Sequence, residues 1–233
     1  MGGSEQDGYA TPAAAVISMA VAAMAIAFIS VTSMQARLVR ADWARSQIEY
    51  RLDGAQNMAT LSIATSLRAP PYRWKQSALT HDFIITAEPE APKLGLDAAD
   101  GLDDALLARL GISDPASVRA ALAAMKARAG LAWPADAASA TIWRACAGAL
   151  LSTYGRSVST PGLAYVEPEA GNNESKWRAG EIWRVSITDT DGWRDERIIR
   201  FTGNGLSPAV VIGRRFTRGR KDPLACDTLI AGA

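Results

Sequence analysis

No charged residue occurs between Tyr9 and Ala36. As an α-helix, such a run spans roughly 40 Å at ~1.5 Å per residue, against about 30 Å for a bilayer core. Ile17, Met19, Val21, Met24, Ile26, Phe28, Ile29 and Val31 supply its apolar bulk, diluted by alanine. A buried core helix of this length is out of proportion in a chain of 233 residues. A secretory signal has a basic head and a shorter apolar stretch, whereas Glu5 and Asp7 precede this run. Residues 9–36 are therefore read as one retained transmembrane helix.

The helix is expected to continue past the lipid. Arg37 to Leu67 contains no Pro and one Gly, Gly54, and is rich in Ala, Arg, Gln, Leu and Met, which are good helix formers. Leu38, Ala41, Ile48, Leu52, Ala55, Ala59 and Ser62 fall on one stripe at steps of three, four or seven. Residues 37–68 thus read as a soluble extension that packs one face on a domain, and Pro70-Pro71 is expected to end it.

Beyond the prolines the pattern changes. Residues 69–98 hold a strand at Phe83-Ile84-Ile85-Thr86 and a loop broken by Pro89 and Pro92. Residues 99–155 read as a small bundle of three helices. Asp100 is expected to cap the first, which stops at Gly111. Asp114 caps the second, with Pro115 at its first position and Gly130 past its end. The third runs from about Asp136 to Tyr154. Residues 156–233 read as antiparallel sheet and tail. Ile182, Arg184, Ser186 and Thr188 alternate with Trp183, Val185 and Ile187. Asp191-Gly192 is a hairpin signal, Trp193–Thr202 the return strand, and Ala209–Phe216 a third strand after Asn204-Gly205. The fold class expected is α+β: a long N-terminal transmembrane helix packed on an antiparallel sheet, with an inserted helical bundle. The seven Trp residues are scattered along the chain and read as core or interface.

Composition excludes several chemistries. With 25 basic and 24 acidic residues and no Lys/Arg stripe, there is no footprint for nucleic acid. His81 is the only histidine, so a nucleophile–base pair has one candidate base, beside a strand where histidine is usually structural. No G-x-S-x-G elbow or phosphate loop occurs, and the protein is expected not to be an enzyme. Cys146 and Cys226 are too few for a cysteine zinc site; an oxidising compartment would let them pair as a disulfide that ties the tail to the third helix. Asp97, Asp100, Asp103 and Asp104 read as helix capping and first-turn charge. Asp189, Asp191 and Asp195, with Glu196 beside them, form a second acidic group on the hairpin. It reads as a solvated turn or, less directly, as calcium ligands, although the rest of a calcium loop is missing.

The start of the chain resembles a type IV pilin-like leader: Gly8 abuts the uncharged run as Gly does at a prepilin peptidase site. Two further segments resemble the K-type minor pseudopilin of type II secretion, the general secretion pathway protein K family. Glu90-Ala91-Pro92-Lys93-Leu94-Gly95-Leu96-Asp97-Ala98-Ala99 is similar to the segment preceding that family's helical insertion. Gly180–Val185, Trp193, Arg197–Phe201 and Val210–Ile212 are similar to its C-terminal strands. Here the leader lacks Lys and Arg, Gly95 and Asp97 replace the usual Asn or Asp and Asn, and the insertion is short.

The resemblance implies a pilin-like fold and a leader of residues 1–8 removed between Gly8 and Tyr9, with methylation of the new amine. It implies an inner-membrane, single-pass location with the C-terminal domain in the periplasm. The partners implied are prepilin peptidase and other minor pseudopilins of the same system, and calcium is implied for the soluble domain. The role would be a tip subunit that starts the periplasmic pseudopilus. The positive-inside rule, applied to Arg37, Arg40 and Arg45, favours the opposite orientation; the Gly8 junction decides the reading here. A membrane-anchored periplasmic enzyme or scaffold domain, and a minor pilin of a type IV pilus, stand as alternatives.

Overall fold

The computed structural model describes residues 10–66, 68–78, 81–128, 130–159, 164–169, 178–204, 207–219, 226 and 230. The leader junction at Gly8 and Tyr9 lies outside the described residues. The chain divides into two compact units, one up to Tyr50 and one from Arg51 onward.

The first unit is the N-terminal part of α1, a 56-residue helix at Ala10–Thr65. Its large apolar side chains face outward; Phe28 is 70% exposed and Met24 72%. Its hydroxyls turn back on the helix: Ser18 Oγ donates to the Ala14 carbonyl, Ser30 to Ile26 and Thr32 to Phe28, all at 2.8–2.9 Å. Polar side chains satisfied by their own backbone suit a helix whose surroundings offer no water. The helix is long and apolar enough to cross a membrane.

In the second unit, the last turns of α1 lie on an antiparallel sheet of five strands. These are β1 (Tyr72–Ala78), β2 (His81–Pro89), β5 (Ile182–Asp189), β6 (Trp193–Asn204) and β7 (Ser207–Arg218), in the order β1-β2-β5-β6-β7. Leu52, Ala55, Ala59 and Ile63 form the buried stripe of α1, each at most 2% exposed. Opposite them stand Ile85, Ala87, Trp183, Val185, Ile187, Ile199 and Phe201, also buried. Burial of each Leu or Ile there contributes about 1.5–3 kcal/mol. Gln56 Nε2 bonds the carbonyls of Val185 at 3.3 Å and Asp195 at 3.0 Å, which fixes the helix to β5 and β6. The stripe read from sequence extends up to Leu38, yet Leu38 is 56% exposed and the first buried residue of the stripe is Leu52. The helix also ends at Thr65 rather than at the prolines. Ser66 starts a tighter turn, its N–H bonded to the Ile63 carbonyl and its hydroxyl accepting the N–H groups of Arg68 and Glu169.

Two strands depart from expectation. β1 is unanticipated, although Tyr72, Trp74 and Gln76 alternate with Arg73, Lys75 and Ser77; the flanking Pro70-Pro71 makes the stretch look like loop. β7 begins two residues earlier than the expected Ala209 and runs two past Phe216. The β5–β6 hairpin turns at Asp191-Gly192, and Gly192 takes φ +83°, a left-handed value that side-chain-bearing residues rarely adopt.

Between β2 and β5 the chain forms short helices with an apolar cluster of their own: α2 (Asp104–Arg109), α3 (Pro115–Ala127) and α4 (Thr141–Leu150). Leu106, Leu107, Leu110, Leu122, Trp143 and Leu150 are at its centre. α3 matches its punctuation, with the Asp114 carboxylate accepting the Ser117 N–H at 3.2 Å.

The other two helices differ from expectation. Asp100 does not cap a helix; it lies in a 3-10 segment, Leu96–Gly101, and α2 starts only at Asp104. The expected helix from Asp136 to Tyr154 breaks into a 3-10 turn at Pro134–Ala137 and then α4. Ala138 is extended, and Leu151–Ser152 forms a short strand, β4, paired in parallel with β3 (Leu94–Gly95). At the C-terminal end, strand pairing overrides helix propensity.

Candidate functional site

The side chains singled out from sequence do not meet at one point. Cys146, in α4, and Cys226 are joined by a disulfide with their Cα atoms 5.4 Å apart. His81 opens β2 with its Nε2 against the Arg51 guanidinium.

The hairpin acids do not suit a calcium cage. Asp189 Oδ1 accepts the backbone N–H groups of Asp191 and Trp193, at 2.9 and 2.8 Å, and so closes its own turn. Both oxygens of Asp195 are held by guanidinium groups, Oδ2 by Arg197 at 2.7 Å and Oδ1 by Arg214 at 2.8 Å. Asp191 is exposed. Calcium needs six to eight oxygens free to converge; among the described residues no three His, Cys, Asp or Glu side chains do so. In the first acidic group, Asp104 pairs with Arg119.

What the structure does bring together is a buried ionic network on the second face of the sheet. Strand alternation places Arg184, Ser186 and Thr188 of β5, and Arg194 and Glu196 of β6, on the side away from α1. Arg184 is 5% exposed and forks between two carboxylates: Nε to Glu90 Oε1 at 3.0 Å, Nη2 to Glu90 Oε2 at 3.2 Å, and Nη1 to Glu196 Oε1 at 2.7 Å. Lys93 Nζ reaches Glu90 at 2.6 Å, Glu88 at 2.7 Å and the Gly148 carbonyl at 2.6 Å. The Ser152 hydroxyl donates to Glu90. Arg194 Nη2 stands 3.7 Å from Glu196.

Among the described residues three cations thus face three carboxylates, so the cluster is balanced in charge and its members are largely satisfied, the condition under which buried charge persists. It links the loop after β2, the end of α4 and the sheet. Gly148 permits the approach: a Cβ there would stand 2.9 Å from Arg184 Nη1 and 3.2 Å from Glu196 Oε1.

The protonation states follow from this geometry. Burial by itself would raise the Glu90 carboxyl, but Arg184 and Lys93 outweigh it and hold the group below its ordinary range. Burial acts likewise on Glu196, and Arg194 and Arg184 bring it down to about 2. For Arg184, burial works against the charge, but the two carboxylates prevail and push its pKa up. Glu90, Glu196 and Arg184 are thereby held ionised at neutral pH, which leaves none of these three poised to exchange a proton there.

Beside the network lies a cavity of about 700 Å³ between the polar sheet face and α4. Arg73, Lys75, Thr86, Ser186, Arg194 and Thr217 line the sheet side, and Ser139, Thr141, Arg144 and Ala145 the α4 side.

From sequence, Glu90 and Lys93 were notable only as part of a family-like segment, and Arg184 only as one member of an alternating face. The available signals are one arginine, Arg184, inside the largely apolar run Ile182–Thr188, and a Glu/Lys pair three residues apart at Glu90 and Lys93. Comparison with family models, with curated proteins and with solved structures gave no match.

Proposed function

We propose that the chain is a minor pseudopilin at the tip of the periplasmic pseudopilus of a type II secretion system, where it initiates fibre assembly for export across the outer membrane. The observation that carries this reading is α1: one helix of 56 residues, outward-facing and apolar toward its N-terminus and buried on an antiparallel sheet at its C-terminal end. That division of one helix between lipid and a sheet-bearing head is what a subunit needs if it is stored in a membrane and then drawn into a fibre. The finer pilin-like features belong to the same proposal: a leader cut after Gly8, the helices between β2 and β5 as an inserted domain, and a periplasmic head.

The tip position rests on Ala13. With Tyr9 as the first mature residue, Ala13 is the fifth, where the resemblance would place Glu in major subunits. In a fibre of packed apolar helices that Glu neutralises the N-terminal amine of the neighbour already in place, and a buried unpaired charge costs several kcal/mol. A subunit with alanine there is poorly suited to add beneath another, yet it still offers its own amine to the next subunit. It is suited to be first. The short helices add bulk to the head, which is easiest to place where nothing stacks above it. Immunogold labelling of overproduced pseudopili should mark one end only. Label spaced along the fibre would remove the tip assignment.

A further inference from the structure

Among the described residues, seven Lys and Arg line the cavity under the polar sheet face, against three Glu. The network described above neutralises some of them. Arg184 belongs to Glu90 and Glu196, Arg194 lies near Glu196, and Arg215 pairs with Asp136 at 2.5 Å. Others face the cavity without an acid. Among the described residues Lys75 and Arg144 have no ion-pair partner, and both are exposed to solvent. Arg218 lies over the Trp193 ring at 5.3 Å, a contact that orients a guanidinium without cancelling its charge.

The opposite wall carries the same sign. The start of α4 lines the cavity through Thr141, Arg144 and Ala145, with Ser139 just ahead of it. The residue at its N-cap is Ala140, which supplies no side-chain cap. The N–H groups of the first turn, which gain no side-chain cap, and the positive end of the helix dipole add to Arg144. The walls also offer hydroxyls, at Thr86, Ser139, Thr141 and Thr217, and apolar surface at Ile84, Ala145 and Ala149.

Size narrows the ligand. Small-molecule sites occupy roughly 300–1,000 Å³, and the 700 Å³ here is far more than a single inorganic anion fills. Arginine forks suit carboxylate and phosphate groups in particular. We infer that this cavity binds a small soluble organic molecule with two or more carboxylate or phosphate groups, with Arg144 and the first turn of α4 on one wall and the sheet cations on the other. The inference stands on the cavity and does not depend on the pseudopilin reading.

The test is isothermal titration of the full chain in detergent micelles, at constant ionic strength, with citrate as carboxylate probe and inorganic pyrophosphate as phosphate probe. Saturable binding of at least one probe, one per chain, is expected with a Kd below ~1 mM. Arg144→Glu and Lys75→Glu should each weaken it by about tenfold or more, which corresponds to losing one charge-assisted contact. Arg128→Glu, outside the cavity, should not. Both cavity positions are exposed, so folding should survive; Arg144→Gln, with an unchanged melting temperature, provides the milder control. The probe that binds identifies carboxylate or phosphate as the preferred group. If neither probe binds, or if Arg144→Glu binds as tightly as the parent, the cavity is not an anion site.

Discussion

Arg184→Met should be the most damaging single change in the second unit outside its apolar cores. Methionine matches much of the arginine stem but removes three hydrogen bonds and one charge from a cluster that is neutral as built. Glu90, 0% exposed, keeps Lys93, but Glu196 is left with Arg194 at 3.7 Å. Removing one partner of a buried pair costs about 3–5 kcal/mol. For a unit of this size that is a fall in Tm of about 6–20 °C.

Urea and thermal unfolding of the full chain in detergent micelles, followed by tryptophan emission, reads the change, because Trp143 and Trp183 are both at most 1% exposed. The double variant Arg184→Met/Glu90→Gln decides the cause. Groups in one network should show a coupling of about 0.5–3 kcal/mol, so the double variant loses less than the two single losses together. Strict additivity, or a loss under about 1 kcal/mol in Arg184→Met, would refute the claim that this network holds the helices to the sheet.

Acid should weaken the same region in a defined window. Glu196 is held down to about 2 and Glu90 below its ordinary 4.5. With folded-state values below unfolded ones, their contribution is full above about pH 5 and drains away as pH falls toward 2. Urea midpoints measured down that range should drop, and Glu196→Gln should flatten the drop; a flat profile in the parent chain contradicts the assignment. Gly148→Ala should cost about 1–3 kcal/mol by overpacking, since Arg184 is held on both sides and cannot yield, and an unchanged urea midpoint would show that it can. Reduction of Cys146–Cys226, which are 80 residues apart, should cost about 4 kcal/mol. Non-reducing peptide mapping of native protein should find the bridge, and two alkylatable thiols would disprove it. Millimolar calcium should leave the melting temperature unchanged if hairpin acids Asp189 and Asp195 stay bonded as described; a rise that Asp195→Asn abolishes would overturn that.

Some of this molecule can be read directly from sequence because local signals and tertiary packing agree. The uncharged run and the alanine-rich extension give α1. Asp114-Pro115 gives the start of α3, and Asp191-Gly192 gives the hairpin. Where tertiary contacts decide, reading along the chain misses the outcome. Leu151–Ser152 leave a helical pattern because β3 offers a strand partner. Tyr72–Ala78 becomes a strand beside two prolines because β2 presents a complementary edge. The ionic network is the clearest case. Glu90, Lys93, Arg184 and Glu196 span more than a hundred positions, and nothing in their spacing joins them. Each looks like an ordinary surface charge until the short helices cover the second sheet face. The hairpin acids illustrate the converse: their proximity in sequence suggests a shared ligand, but the N–H groups of the turn engage Asp189 and nearby arginines engage Asp195.

The proposal as a whole turns on what happens at the junction ahead of α1. The direct measurement is the N-terminal mass of the full chain purified from membranes of cells that carry an active prepilin peptidase, compared with cells that lack it. The account predicts a chain beginning at Tyr9 with a methylated amine in the first case, and an unprocessed N-terminus in the second. An identical N-terminus in both, with residues 1–8 still attached, would contradict the pseudopilin reading.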